Sequence, residues 1–271
     1  MSFFRRQYAL PAEHGSWIWW IGPLAIGFAA AGRFDPDLPW LVAGLLAGFL
    51  LRQPATILVK ALASRRPRAD IRPAAVWVVA YGLAALAAIL TLATLGHARV
   101  LLLALPGGVV FVWHLWLVSR REERGQMGVE IVGAGVLALA APAAYFVAGG
   151  PTDRTAWLLW ILCWLQTAAS ILLVYYRLAE RRLPEPWPLA MRMRKARRAI
   201  LYHAFNLLFA VALAFAGWIP GLWCAGFGVM LADLVVATIR PAIGARPSQI
   251  GLRQLASSAA FTLLAAAGYL V

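Results

Sequence analysis

The feature that most limits this chain is a succession of nine apolar runs of close to 20 residues each, separated by short arginine-rich segments. A helix rises 1.5 Å per residue, so about 20 apolar residues cross the roughly 30 Å hydrocarbon layer of a bilayer. The runs cover residues 16–32, 38–60, 73–95, 99–118, 127–148, 155–177, 199–217, 219–238 and 251–271. The pair 199–217 and 219–238 is divided by Trp218-Ile219-Pro220-Gly221, a turn signal that favours two helices over one re-entrant unit. Composition agrees, with 62% hydrophobic residues and only 13% charged. Soluble domains are about 45–50% apolar and about 25% charged, and a soluble core of this length could not bury the excess. Disorder requires low hydrophobicity and is excluded. A disulfide scaffold is excluded by a count of two cysteines, Cys163 and Cys224, both inside apolar runs and without metal-ligand spacing. The pattern predicts an all-α integral membrane protein with one transmembrane domain over 1–271. The longest connection is 178–198, and no stretch remains for a soluble domain. The opening MSFFRRQYALPAEHGSW lacks the apolar core and cleavage site of a signal peptide, so the first helix is expected to insert uncleaved.

The formal charge is +14, and in a soluble protein such an excess would suggest nucleic acid. Here the basic residues lie between spans, so membrane topology accounts for them and no nucleic-acid partner is expected. With the N-terminus placed in the cytoplasm, the alternating connections put 21 of the 25 basic residues inside. Only Arg33, Arg99 and Arg154 fall outside, and Arg52 lies within a span. The positive-inside rule therefore predicts a cytoplasmic N-terminus and an external C-terminus. Arginine far in excess of lysine, with abundant Ala, suggests a GC-rich bacterial genome and hence a bacterial plasma membrane.

Ionisable residues at membrane depth are costly and mark candidate sites. Arg52, His114, Glu130, His203 and Asp233 all fall in the inner half of their spans, with Arg52 about 21 Å from the outer end by helix rise. Arg52, Thr56 and Lys60 recur at i, i+4 and i+8, on one face, and Gln53 adjoins them. Gln166, Ser170 and Arg177 share a face of the sixth span, with Tyr175 and Tyr176 at its inner end. His203 and Asn206 lie at i, i+3, and Glu13 and His14 stand where the first span begins. Each has a plainer reading, such as snorkelling for Lys60, Tyr176 and Arg177, or pairing with loop arginines for Glu130 and Asp233. Together they predict a polar, net-basic cavity open to the cytoplasm beneath an apolar bundle. Arg and Lys donors suit phosphate or carboxylate groups. The matching ligand is an amphiphile with an anionic or carbonyl-bearing head.

The segment LPAEHGSWIWWIGPLAIG at 10–27 resembles the opening motif of the YwiC-like family of bacterial membrane proteins, through Pro11, Glu13, His14, Gly15, Ser16 and Trp17. The span pattern is also similar to that of the UbiA prenyltransferase superfamily, which has nine helices and a site capped by the inner loops after helices 2 and 6. Those loops are the most basic ones here, 60–72 and 177–198. That superfamily's Asp-rich motifs, which hold Mg²⁺ against a diphosphate, are missing. LRQPATILVKALASRRPRAD offers only Asp70 and LLVYYRLAERR only Glu180. Mg²⁺ is therefore not supported, no metal ligand is assigned, and no cofactor is identified.

The leading expectation is binding of, or chemistry on, an isoprenoid or quinone-type amphiphile. Arg52, Gln53, Lys60, Tyr176, Arg177 and Asn206 would hold its head, and His14, His114 and His203 would be acid–base or hydrogen-bonding groups. Glu13, Glu130 and Asp233 would be structural or acid–base residues. A divergent transferase without Mg²⁺ is one form of this. A transporter of a small anion or lipid, and a non-catalytic assembly protein using the basic segment MRMRKARR at 191–198, are the alternatives.

Overall fold

The computed structural model describes residues 5–11, 15–122 and 126–271. Within them there are helices and no strands. A four-residue helix α1 (Arg6–Ala9) precedes a 3₁₀ turn at Gly15–Trp17 and helix α2 (Ile18–Ala31). Then come α3 (Leu38–Leu62), α4 (Ile71–Thr94), α5 (Ala98–Arg120), α6 (Met127–Leu137) and α7 (Ala140–Val147). The last four are α8 (Arg154–Glu180), α9 (Leu189–Phe215), α10 (Leu222–Ile239) and α11 (Pro247–Ala267). Eight segments are long and apolar enough to cross a membrane, with α6 and α7 forming one of them. The shorter apolar stretch Gly15–Ala31 stands in the place of the first expected span.

Two departures from the expected spans have physical causes. The span at 127–148 is broken at Ala138 and Leu139, four and three residues before Pro142. Proline has no N–H to give and crowds the carbonyl four residues back. The backbone tightens accordingly: Leu139 N–H bonds to Val136 O and Ala141 N–H to Ala138 O, both spaced by three residues. Trp160 Nε1 of α8 then donates to Gly135 O at 2.8 Å. The second departure is α9, which starts at Leu189, ten residues before its apolar run. The basic MRMRKARR segment is thus the first turns of that helix.

Contacts between loops define two ends. At one end Arg65 donates to Val118 O, Arg181 Nε to Ala245 O at 2.9 Å, and Gly244 N–H to Arg181 O at 3.3 Å. At the other end Arg33 donates to Ala148 O, His97 meets Asp37 at 2.8 Å, and the Arg154 guanidinium sits 4.3 Å from the Trp218 ring. The three basic residues expected apart from the rest, Arg33, Arg99 and Arg154, gather at this second end.

The core runs through α2, α7, α8, α10 and α11, and Trp223, Phe227 and Phe261 meet edge to face inside it. Helices α2 and α7 cross so closely that a Cβ on Gly27 would overlap the Ala141 carbonyl. By contrast, α4 exposes Val76, Val79, Leu83, Leu86 and Leu90, and α5 exposes Leu102, Leu105, Val109 and Val112. In water such rows would be a liability. In a bilayer they are the lipid-facing surface.

Candidate functional site

The predicted polar residues divide into two groups at the basic end. One lies on α3 and its neighbours. Thr56 Oγ1 is 3.4 Å from His114 Nε2, linking α3 to α5, and Gln53 Nε2 donates to Gln7 O at 3.2 Å, linking α3 to α1. Tyr8 donates to Asp70 at 2.7 Å, Arg66 pairs with the same carboxylate at 2.8 Å, and Tyr81 donates to Ala9 O at 2.9 Å. Arg52 and Lys60, on the stripe with Thr56, are half-buried. Glu130 is exposed at the start of α6 and accepts from Tyr175 of α8 at 2.8 Å.

The other group lies where α8, α9, α10 and α11 meet. Glu180 is completely buried at the last position of α8. It accepts from Ala242 N–H at 2.8 Å and from Tyr176 at 3.2 Å, and it pairs with Arg177 at 3.5 Å. Arg177 also donates to Ala237 O at 2.8 Å and Arg240 O at 2.5 Å, while Arg192 donates to Thr238 O and Ile239 O at 2.8 and 2.7 Å. Two guanidinium groups therefore satisfy carbonyls at the C-terminus of α10. A helix leaves its last carbonyls without partners there, and its dipole favours cations. Asp233 of α10 pairs with Arg253 of α11 at 2.6 Å.

A small cleft of about 20 Å³ lies between these pairs, lined by Leu173, Arg177, Asp233, Ile250, Arg253 and Gln254 among others. Two polar atoms of its lining, Asp233 Oδ2 and Gln254 Nε2, are buried without a hydrogen-bond partner. Above the cleft the polarity continues into the bundle. Ser258, one turn beyond Gln254, accepts from Gln166 at 3.0 Å, and Gln166 also donates to Ser170 at 3.2 Å. Gln166 lies one residue before the midpoint of the 27-residue α8. On its α9 side, Asn206 donates to Leu165 O at 3.0 Å, and His203 Nδ1 donates to Ala199 O at 2.9 Å. Asn206 Oδ1 and His203 Nε2 are buried without partners.

Of the predicted residues, Arg177 and Asp233 line the cleft. Tyr176 stands behind it on Glu180, and His203 and Asn206 lie in the α9 wall of the same unit. Arg52, Gln53, Lys60 and His114 belong to the α3 group and are absent from the cleft's lining. Glu13 and His14 lie outside the described residues. Their neighbour Gly15 does approach the cleft, because a Cβ there would lie 3.8 Å from Gln254 Oε1. Helix α2, which follows, wedges between the two groups. Trp17 and Trp20 pack on Phe49 of α3, and Gly22 faces Thr262 of α11. The sequence reading missed Glu180 as an ion-pair anchor, together with Arg253 and Gln254. Arg177 and Glu180 at i, i+3 were a readable signal, as was the polar run in RQLASS at 253–258.

At the opposite end, donor atoms of Asp35, Asp37 and His97 lie within 4.8 Å of one another, a spacing compatible with a cation. The His97–Asp37 contact and the bond from Asp37 N–H to Asp35 Oδ1 at 2.8 Å hold that group together.

Apolar helices of spanning length, a lipid-facing apolar surface and polar groups collected at one basic end define a multi-pass integral membrane protein. Residues 10–145 match the YwiC-like protein family, and the chain belongs to that family. The matched stretch holds α2 to α6, most of α7 and the members of the α3 group on α3 to α6, while the cleft residues lie C-terminal to it. No curated protein and no solved structure matches the chain.

Proposed function

We propose that this YwiC-like protein lies in the bacterial plasma membrane with its basic end toward the cytoplasm, and that it binds or acts on an isoprenoid or quinone-type amphiphile. The observation that carries this reading is the cleft between α8, α10 and α11, where Asp233 Oδ2 and Gln254 Nε2 are buried and unpartnered. A buried polar atom without a partner costs about 1–3 kcal/mol, and a bound head group would recover that cost. The cleft, at about 20 Å³, takes a single small polar group, and the rest of an amphiphile would lie outside it. Exposed Val236 and Leu252, next to the lining residues Ala237 and Arg253 in sequence, offer the tail a route into lipid. The α3 group, with Arg52, Gln53, Lys60 and His114, is a second polar surface on the same end. It is assigned to the amphiphile's approach or chemistry on sequence position alone.

The test is native mass spectrometry of the protein purified from its own membranes. A bound amphiphile is expected on the wild type, lost in a double variant Asp233→Asn/Gln254→Leu. Bare wild-type protein that also takes up no added prenyl or quinone amphiphile would overturn the reading. Orientation is tested separately by labelling single cysteines placed in the 62–71 and 147–154 loops of intact cells. The first should react only after permeabilisation.

A further inference from the structure

The arginines that line the cleft are already neutralised. Arg177 is held by Glu180 and by two carbonyls of α10, and Arg253 by Asp233. An anionic head would meet guanidinium charge already offset by these carboxylates, with the Asp233 carboxylate itself in the lining. The groups that lack partners are instead one donor, Gln254 Nε2, and one acceptor, Asp233 Oδ2. Gln254 is more than nine-tenths buried, and its Oε1 lies toward Gly15, leaving the amide N–H pair as the unpartnered side.

We infer that the cleft selects an uncharged head whose single oxygen both accepts and donates a hydrogen bond, that is, a hydroxyl group, over a diphosphate or a bare carbonyl. The inference rests on the amphiphile reading above and narrows it. A hydroxyl accepts from Gln254 Nε2 and donates to Asp233 Oδ2, which satisfies both atoms at once. A carbonyl satisfies only Gln254. A diphosphate sets acceptor oxygens against the Asp233 carboxylate and is too large for a cleft of about 20 Å³. The two arginines of the lining are matched by Asp233 within it and by Glu180 behind Arg177.

The experiment uses one C20 prenyl tail with three heads, alcohol, aldehyde and diphosphate, titrated into full-length protein in lipid nanodiscs. The wild type should bind the alcohol at least tenfold tighter than either other head, a difference of about 1.4 kcal/mol. Gln254→Leu should weaken alcohol binding by tenfold or more. Asp233→Asn keeps an oxygen for Arg253 but turns the free acceptor into a donor. It should therefore raise aldehyde affinity relative to alcohol, a reversal that general loosening of the fold would not produce. Tightest binding by the diphosphate, or an alcohol affinity unchanged in Gln254→Leu, would overturn the inference while leaving the amphiphile reading in place. Absence of binding by all three heads would overturn both.

Discussion

Helices α4 and α5 each bury about a tenth of their apolar window inside the protein, whereas α8 buries 61% of its own. Both kinds of helix carry polar residues at the basic end, but they treat them differently. Around α8 the charges are interlocked across helices: Glu180 ties Arg177 to the α10–α11 connection, and Arg177 and Arg192 close the end of α10. Around α3 to α5 polar contacts reach toward short surface elements, as Tyr8 does to Asp70 and Gln53 to Gln7 O. The difference teaches that depth along the chain's spans does not by itself make a residue part of a site. Burial together with partners on neighbouring helices does, and α8 supplies both at Arg177 and Glu180.

The sharpest way to break this comparison is Glu180→Ala. It removes a fully buried carboxylate and leaves Arg177 uncompensated, so a loss of about 3–5 kcal/mol is expected. Asp70→Asn, on the α3 side, removes a pair whose arginine is partly exposed, and should cost about 1 kcal/mol or less. Reversible unfolding in mixed micelles reads both. Equal losses would mean that the two groups are not different in kind.

Next in size is Gly27→Val. Its side chain would meet the Ala141 backbone, so α2 and α7 must separate, with an expected cost of about 2–3 kcal/mol. Gly48→Val, on α3, meets nothing within 4 Å and should be nearly silent. Gly44 and Gly48 share the small-xxx-small spacing that suggests helix contact. Only Gly44 is used in that way, against Ala88 at 3.2 Å. A smaller step is Trp160→Phe, which keeps the ring stack on Trp164 but gives up the bond to Gly135 O, for about 1 kcal/mol.

Much of this was legible in the sequence, because hydropathy and charge act over whole segments. Run lengths placed the helices, and the arginine bias separated the two ends. Three things were not legible, each for a stated reason. The start of α9 was hidden because MRMRKARR reads as a loop by hydropathy, although its residues are good helix formers. The partners of Arg177 and Arg192 were hidden because they are carbonyls, which no side-chain pattern reports. The separation of Arg52 from Asp233 was hidden because equal depth says nothing about position around the bundle. Glu13 and His14 carry the family motif and lie outside the described residues, so their part in the sequence reading stands on the motif.

The smallest expected effect bears on what covers the outward face of α4 and α5. Leu83 is 61% and Val109 70% exposed. Lipid chains are as apolar as leucine, so trimming these side chains to Ala inside a bilayer removes little that the solvent does not replace. A change within about 0.5 kcal/mol is expected for Leu83→Ala and Val109→Ala, with the mass of the assembly unchanged in native mass spectrometry. The same truncation at fully buried Leu159 of α8 should cost about 2–5 kcal/mol. If instead Leu83→Ala or Val109→Ala approached the Leu159→Ala loss, or split a larger assembly, the α4–α5 face would be packed against a second chain. The contrast between a lipid-facing side and a packed side would then belong to the monomer alone.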